Sequence, residues 1–405
     1  MQAINESINR MFSGRRFNLI AFSLIAALIL LAYSNTFYAS FHFDDNPSIV
    51  ENHLIKRVSS DNITAILQGG RPVVYLSLML NYALGGLNVV GYHIFNIAVH
   101  VANSMLVYLL LLWTLQLSQS ESKSPGQARR MALFGALLFG LHPIQTQPVT
   151  YIIQRAELLT TFFYLGALLL FIQGVRKNNF AWFIAAACSA LFAMGSKEWA
   201  VTLPAVVFLY DFLFLSGGKL KPVLSRWYAY ALLILSWGEI WHTVDLTVKG
   251  GGTSVGFHIQ NSAGIPLTAW TYLLTSFNVI WTYFRLLILP INQNLDYEYA
   301  VAQTLFEFPT LLSMVGHFAV VGAAFWLYKK KGWILVPFGV AWFYITLSPT
   351  QSFVPVMDVI FEHRIYMPSL GFFMVFVAAY ERLFQWLEER KAGNKAEMEQ
   401  QAAKS

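Results

Sequence analysis

The sequence predicts an all-α integral membrane protein with about ten spanning helices, and three observations carry that reading. Hydrophobic residues make up 56% of the 405 and charged residues only 12%, where a soluble domain carries about a quarter charged. Several uncharged stretches, such as 18–41, reach the roughly 20 apolar residues needed to cross a bilayer core as a helix. Lys and Arg fall in short clusters between these stretches, as expected of cytoplasmic loops. A transmembrane β-barrel would instead show alternating segments of about ten residues. The net charge of +6 does not form the aromatic-laced basic face of a nucleic-acid binder, so no nucleic-acid partner is expected.

The elements follow in order. Arg10, Arg15 and Arg16 precede an apolar run longer than a signal-peptide core, with no small-residue cleavage site after it, which predicts a retained anchor and a cytoplasmic N-terminus over 1–17. Further cytoplasmic markers are Lys123, Arg129 and Arg130, then Arg176 and Lys177, then Lys219, Lys221 and Arg226, then Lys329 to Lys331. They place spans near 18–38, 93–116, 131–147, 158–175, 178–196, 199–217, 227–245, 309–328, 332–348 and 365–381. Parity leaves no crossing for the apolar stretch 272–290, which is therefore expected to be re-entrant or interfacial. The membrane domain covers 18–384, with large outer loops at 42–92 and 246–307 and shorter ones near 142–157 and 349–364. Residues 385–405 form a charged cytoplasmic tail. The single cysteine, Cys188, excludes an intramolecular disulfide and is expected in the core.

The ionisable residues that topology does not explain lie in the four outer segments. Asp44 and Asp45 directly follow the first span. Partial desolvation there would raise a carboxylate towards the range of a general base, the alternative being a helix cap or an interfacial charge pair. The string 142–157 carries His142, Gln145, Arg155 and Glu157, and its two prolines break the helix so that polar groups face a cavity or water. Arg155 could fork onto an anionic oxygen or pair with Glu157. Lys197 and Glu198 interrupt an apolar run as either an ion pair or a phosphate-binding lysine beside a carboxylate. Glu362, His363 and Arg364 precede the last span, with a snorkelling role the alternative for Arg364. His42, His53, His93, His142, His258 and His363 lie in outer segments but show neither H-x-x-x-H nor H-E-x-x-H spacing, so no cofactor is required and a divalent metal is disfavoured.

One chemistry uses all these parts: an acceptor hydroxyl attacks the anomeric carbon of a sugar whose leaving group is a phosphate. That reaction needs one base and cations for the departing anion, without the carboxylate pair of a glycosidase. Asp44 or Asp45 takes the base role, and Arg155, Lys197 and Arg364 take the donor phosphate. His142, Gln145, Glu157, Glu198, Glu362 and His363 are assigned to substrate contact.

These residues sit in strings that resemble the membrane domain of the transmembrane and tetratricopeptide-repeat-containing O-mannosyltransferases, in the GT-C class of polyprenol-dependent glycosyltransferases. The strings are FDDNPSIVEN at 43–52, RP at 71–72, GGLNVVGYHIFN at 85–96, HPIQTQPVTYIIQRAELL at 142–159, SKE at 196–198, YD at 210–211, RLLILPINQNLDY at 285–297, LSPT at 347–350 and EHRIYMPSLGF at 362–372. The resemblance covers roughly 41–372. It implies an acidic base on the first outer loop, falling on Asp44 with Asp45 its neighbour, and interfacial helices over 53–86. No tetratricopeptide repeats follow the last span, so the chain is similar to bacterial relatives. An undecaprenyl-phosphate sugar donor, a protein acceptor such as a pilin or an envelope glycan, and the bacterial inner membrane with a periplasmic site are then implied. Two other readings stay open. A transporter or flippase would place broken helices near the midplane, and a polysaccharide polymerase or ligase would use a lipid-diphosphate donor and basic residues.

Overall fold

The computed structural model describes residues 14–118, 125–239, 259–260 and 264–402. His258, Lys123, Arg10 and the far end of the expected span 227–245 lie outside them. Apart from one two-stranded pairing, Ile259–Gln260 against Pro266–Leu267, the described chain is helical.

Six described helical segments are long and apolar enough to cross a membrane: Arg15–Ala32, Val89–Leu117, Ile152–Lys177, Glu198–Leu215, Phe308–Lys331 and Pro368–Leu387. That makes a multi-pass chain, with fewer such spans than the ten placed from hydropathy. Pro72–Gly85, Phe180–Met194 and Leu335–Leu347 are apolar but shorter, and Pro125–Leu141 has 17 residues. The stretch expected to be re-entrant or interfacial is one continuous 20-residue helix, Ala269–Ile288, started by a capping box between Thr268 and Thr271. Its Trp281 Nε1 donates to Ser313 O in the helix Phe308–Lys331, 3.0 Å. Hydropathy reads the length of an apolar run, whereas here polar strings break the runs into helices of unequal length.

The helix Val89–Leu117 organises the bundle with a polar stripe turned inward. His93, Asn96, His100 and Asn103 recur at helical spacing and are each fully buried. Asn96 Nδ2 donates to the carbonyls of Val149 and Ile152, 3.3 and 3.2 Å. Asn103 Nδ2 donates to Leu158 O at 2.9 Å and to Tyr366 Oη at 3.1 Å. His100 pairs through Nδ1 with Tyr366 Oη, 2.7 Å, and through Nε2 with Gly140 O, 2.9 Å. Apolar surface gives little drive to associate helices already in lipid, so such polar contacts set register. They fix the segments on either side of the 142–157 string and the entry to the last helix against one scaffold.

Cys188 is exposed, contrary to the core position expected of it. On the helix Phe180–Met194 the inward face is Phe183, Ala186, Ala190 and Ala193, and position 188 falls on the opposite side of a 3.6-residue period.

Candidate active site

The first helix ends at Tyr33, and the chain reaches Asp44 through Phe43, a non-glycine residue at φ 45. Left-handed backbone at such a residue costs free energy and is held in place by its surroundings. The result splits two adjacent carboxylates. Asp45 turns inward and is 1% exposed, its Oδ1 accepting from Ile153 N–H at 2.7 Å and its Oδ2 from His42 N–H at 3.1 Å. Burial raises its pKa to about 6, against the pull of those two amides. Asp44 is exposed, with its backbone N–H donating to Tyr151 Oη at 2.9 Å.

Tyr151 lines an open cleft of about 320 Å³ together with His42, Gln147, Asn294, Leu295 and Glu362. Glu362 shapes its far wall. It accepts from Asn294 N–H and Gln293 Nε2, each at 2.7 Å, and from Tyr297 Oη, which folds the 293–297 segment over the cleft. Gln147 spans the floor, its Oε1 accepting from His363 N–H at 2.6 Å and its Nε2 donating to Leu295 O at 3.2 Å. His142 caps the turn after Leu141, its Nδ1 accepting from Ile144 N–H, while Nε2 pairs with Leu287 O at 3.1 Å. Gln145 Nε2 donates to Ser369 Oγ, 2.9 Å, and its Oε1 is buried without a partner.

Beside this cleft four basic side chains from distant segments converge. His363 is held well below its usual pKa, first by burial and then by the charges of Lys197, Arg364 and Arg71, which disfavours its charged form. Lys197 Nζ donates to Glu157 Oε1 at 2.8 Å, and Trp199 Nε1 donates to Glu157 Oε2 at 2.7 Å. Arg71 forks onto Glu198 through Nε and Nη2, 3.0 and 3.2 Å. Arg364 differs. Its guanidinium lies 5.3 Å from the Phe361 ring centroid, and Nη1 is buried with no partner, as is Nδ1 of His363. Buried polar atoms without a protein partner are candidates for contact with water or a ligand. Asp358, raised by burial, is lowered by the charge of Arg364 and raised by those of Asp296 and Asp44. Asp44 and Arg364 thus lie within electrostatic reach of the same carboxyl.

Arg155 sits elsewhere. It is 0% exposed, its Nε donating to Asn96 Oδ1 at 3.1 Å, Nη1 to Ser77 Oγ at 3.2 Å and Nη2 to Tyr92 O at 3.4 Å, with its guanidinium 4.3 Å from the Phe95 ring centroid. All three nitrogens are occupied by protein. Arg71 is the residue that sequence reasoning passed over, its one trace being the RP pair in the resemblance. At φ 59 before Pro72, it holds a conformation unfavourable for a residue ahead of proline, a second strained position at the site after Phe43. Among the described residues no group of three or more His, Cys, Asp or Glu is placed to hold a metal.

The site thus belongs to a helical membrane protein with a solvent-facing carboxylate at Asp44 and basic side chains beside the cleft. Comparison with known proteins adds relatives. The chain is 25% identical over 381 residues to a protein O-mannosyl-transferase of Caenorhabditis elegans, covering 89% of this chain and 51% of that protein. It is 24% identical to the protein O-mannosyl-transferase Tmtc3 of Drosophila melanogaster, over 90% of this chain and 46% of that one. With the human protein O-mannosyl-transferase TMTC2 it shares 31% identity over 228 residues, 52% of this chain and 26% of the relative. The chain spans about half or less of the length of these relatives. No protein-family profile matches it, and no solved structure does.

Proposed function

We propose that the chain is a membrane glycosyltransferase that moves a sugar from a polyprenyl-phosphate donor, undecaprenyl phosphate in a bacterial inner membrane, to a hydroxyl of a protein or envelope glycan. On this reading the fold is a GT-C-type bundle with both termini cytoplasmic and the site at the periplasmic face, and the relatives' protein O-mannosyl-transferase names favour a protein acceptor. The reading gives no role to a metal or cofactor.

The observation that supports it is an exposed Asp44 together with Arg364, whose Nη1 is buried without a protein partner, each acting on the carboxyl of Asp358. The Asp44 carboxylate takes the acceptor proton as the hydroxyl oxygen bonds to the anomeric carbon. The bond from that carbon to the phosphate oxygen breaks, its electron pair stays on the phosphate, and Arg364 with the nearby Lys197 and Arg71 stabilises the anion. Direct displacement inverts the anomeric centre. Asp45, tied to two backbone amides, holds the loop that presents Asp44. Arg155 anchors the wall behind it.

The test is donor class. Purified chain in liposomes, given labelled sugar on undecaprenyl monophosphate or on undecaprenyl diphosphate with a total periplasmic protein acceptor, transfers label from the monophosphate alone. Transfer from the diphosphate alone would overturn the reading in favour of a polymerase or ligase, and transfer from neither would overturn it outright.

A further inference from the structure

We propose that Tyr272 and Tyr283 are positioning residues that aim Arg364 at the phosphate of the donor. The inference rests on the reading of Arg364 as a phosphate ligand and adds to it the device that orients the guanidinium.

The helix Ala269–Ile288 turns a mostly apolar stripe inward, and two tyrosines stand in that stripe, each 0% exposed. Tyr272 and Tyr283 are about three helical turns apart and lie on one face. Phenylalanine would fill the same space with no polar atom to satisfy, whereas a buried hydroxyl costs free energy unless it is bonded. Both hydroxyls are bonded, and to the two ends of one segment. Tyr272 Oη donates to Thr350 O at 2.6 Å. Tyr283 Oη donates to Phe361 O at 2.8 Å and accepts from Phe361 N–H at 3.3 Å. Between these ends Gln351 Nε2 donates to Val359 O at 2.7 Å and ties the loop across its base. One helix therefore grips the 350–361 loop where it leaves the helix Leu335–Leu347 and where it enters the turn that carries Arg364.

The grip reaches the guanidinium in two ways. Phe361, fixed at both of its backbone groups, sets its ring centroid 5.3 Å from Arg364 Cζ and stacks on His363 at 4.9 Å between ring centroids. Tyr272, with its one proton directed at Thr350 O, offers only lone pairs in other directions, and a guanidinium can only donate. Arg364 makes a side-chain hydrogen bond with Tyr272, and its charge acts on the hydroxyls of both tyrosines. A ring beside the guanidinium and an oxygen at one edge fix its planar fork. Nη1 is then the nitrogen left buried without a protein partner, directed by the two tyrosines and available to an anionic oxygen.

The experiment uses the purified full chain in neutral detergent and reads two quantities: affinity for undecaprenyl phosphate, from tryptophan fluorescence, and the rate at which phenylglyoxal modifies Arg364, from mass spectrometry of its peptide. Tyr272→Phe and Tyr283→Phe keep the rings that fill the stripe and remove only the hydroxyls. Each is expected to weaken undecaprenyl phosphate about tenfold, as the loss of a hydrogen bond that holds a charged group would. In the Arg364→Gln background each should cost less than about twofold, because residues that act through one another are not additive. Each should also speed modification of Arg364 severalfold, while Arg155, enclosed by protein, stays slow to react in any variant that keeps its fold. If the tyrosine losses are as large with Arg364→Gln as without it, the hydroxyls only brace the fold and the positioning role is overturned. Unchanged affinity, or unchanged modification of Arg364, overturns it as well. If the wild-type chain binds no undecaprenyl phosphate, the donor reading falls and the proposed target of Arg364 with it, whereas faster modification in the tyrosine variants would still show that they hold the guanidinium.

Discussion

The pair Lys197–Glu157 offers a perturbation whose size can be worked from geometry. Glu157 is 2% exposed and Lys197 12% at the side chain, 2.8 Å apart, and the second Glu157 oxygen is filled by Trp199. In Glu157→Gln the amide oxygen can keep the Trp199 bond, but the NH2 group then faces an ammonium that burial already pushes below its ordinary pKa, with Glu157 the main opposing charge. Removing one partner of a buried pair costs about 3–5 kcal/mol, because the other charge is left uncompensated. Replacing both, as Glu157→Gln with Lys197→Met, should restore most of that loss. The assay is reversible unfolding in mixed micelles titrated with dodecyl sulfate, followed by far-UV circular dichroism. A single variant within about 1 kcal/mol of the wild type would place the pair in the range of exposed ion pairs and refute the picture of Lys197 as a charge held in a buried site.

Further outcomes follow from neighbouring residues. Asp45 ionises at about 6 in the folded chain against an ordinary 3.8, so the native state holds this proton more tightly than the unfolded one. Stability therefore falls by roughly 3 kcal/mol as pH rises from about 4 to 6 and is level above; in Asp45→Asn that slope, read from thermal midpoints across pH 4–8, is expected to vanish. Arg155→Lys cannot serve Asn96, Ser77 and Tyr92 at once. It should cost about 1–3 kcal/mol of stability, measured in the same micelles, with binding of undecaprenyl phosphate unchanged in the surviving folded fraction. Arg71→Ala releases Glu198 from its fork and should weaken undecaprenyl phosphate binding severalfold with little loss of stability, since both side chains are 41% exposed.

Much of this was legible in the sequence. The apolar runs foretold helices at Val89–Leu117, Phe180–Met194, Phe308–Lys331 and Leu335–Leu347 to within a few residues, because charged and polar residues bound each run. The polar strings 142–157, 196–198 and 362–364 touch one another through Lys197–Glu157 and His363–Gln147. Pairing was not legible: Lys197 meets Glu157 rather than its neighbour Glu198, and Glu198 is taken by Arg71, 127 residues away. Two adjacent aspartates read as equals until the turn at Phe43 exposes one and buries the other. At Arg155 the sequence shows the charge but not the ring and three acceptors that surround it. Helix length was less legible, since windowed hydropathy does not see where a polar residue or a turn ends a helix, as at Phe180–Met194 and Leu335–Leu347.

The division of labour between Asp44 and Arg364 is tested most directly by separating donor binding from transfer in one preparation. Asp44→Asn should bind undecaprenyl phosphate within about twofold of the wild type and lose 10²-fold or more in transfer rate, whereas Arg364→Gln should lose both. Transfer by Asp44→Asn at the wild-type rate, with the chain folded and the donor bound, would contradict the account.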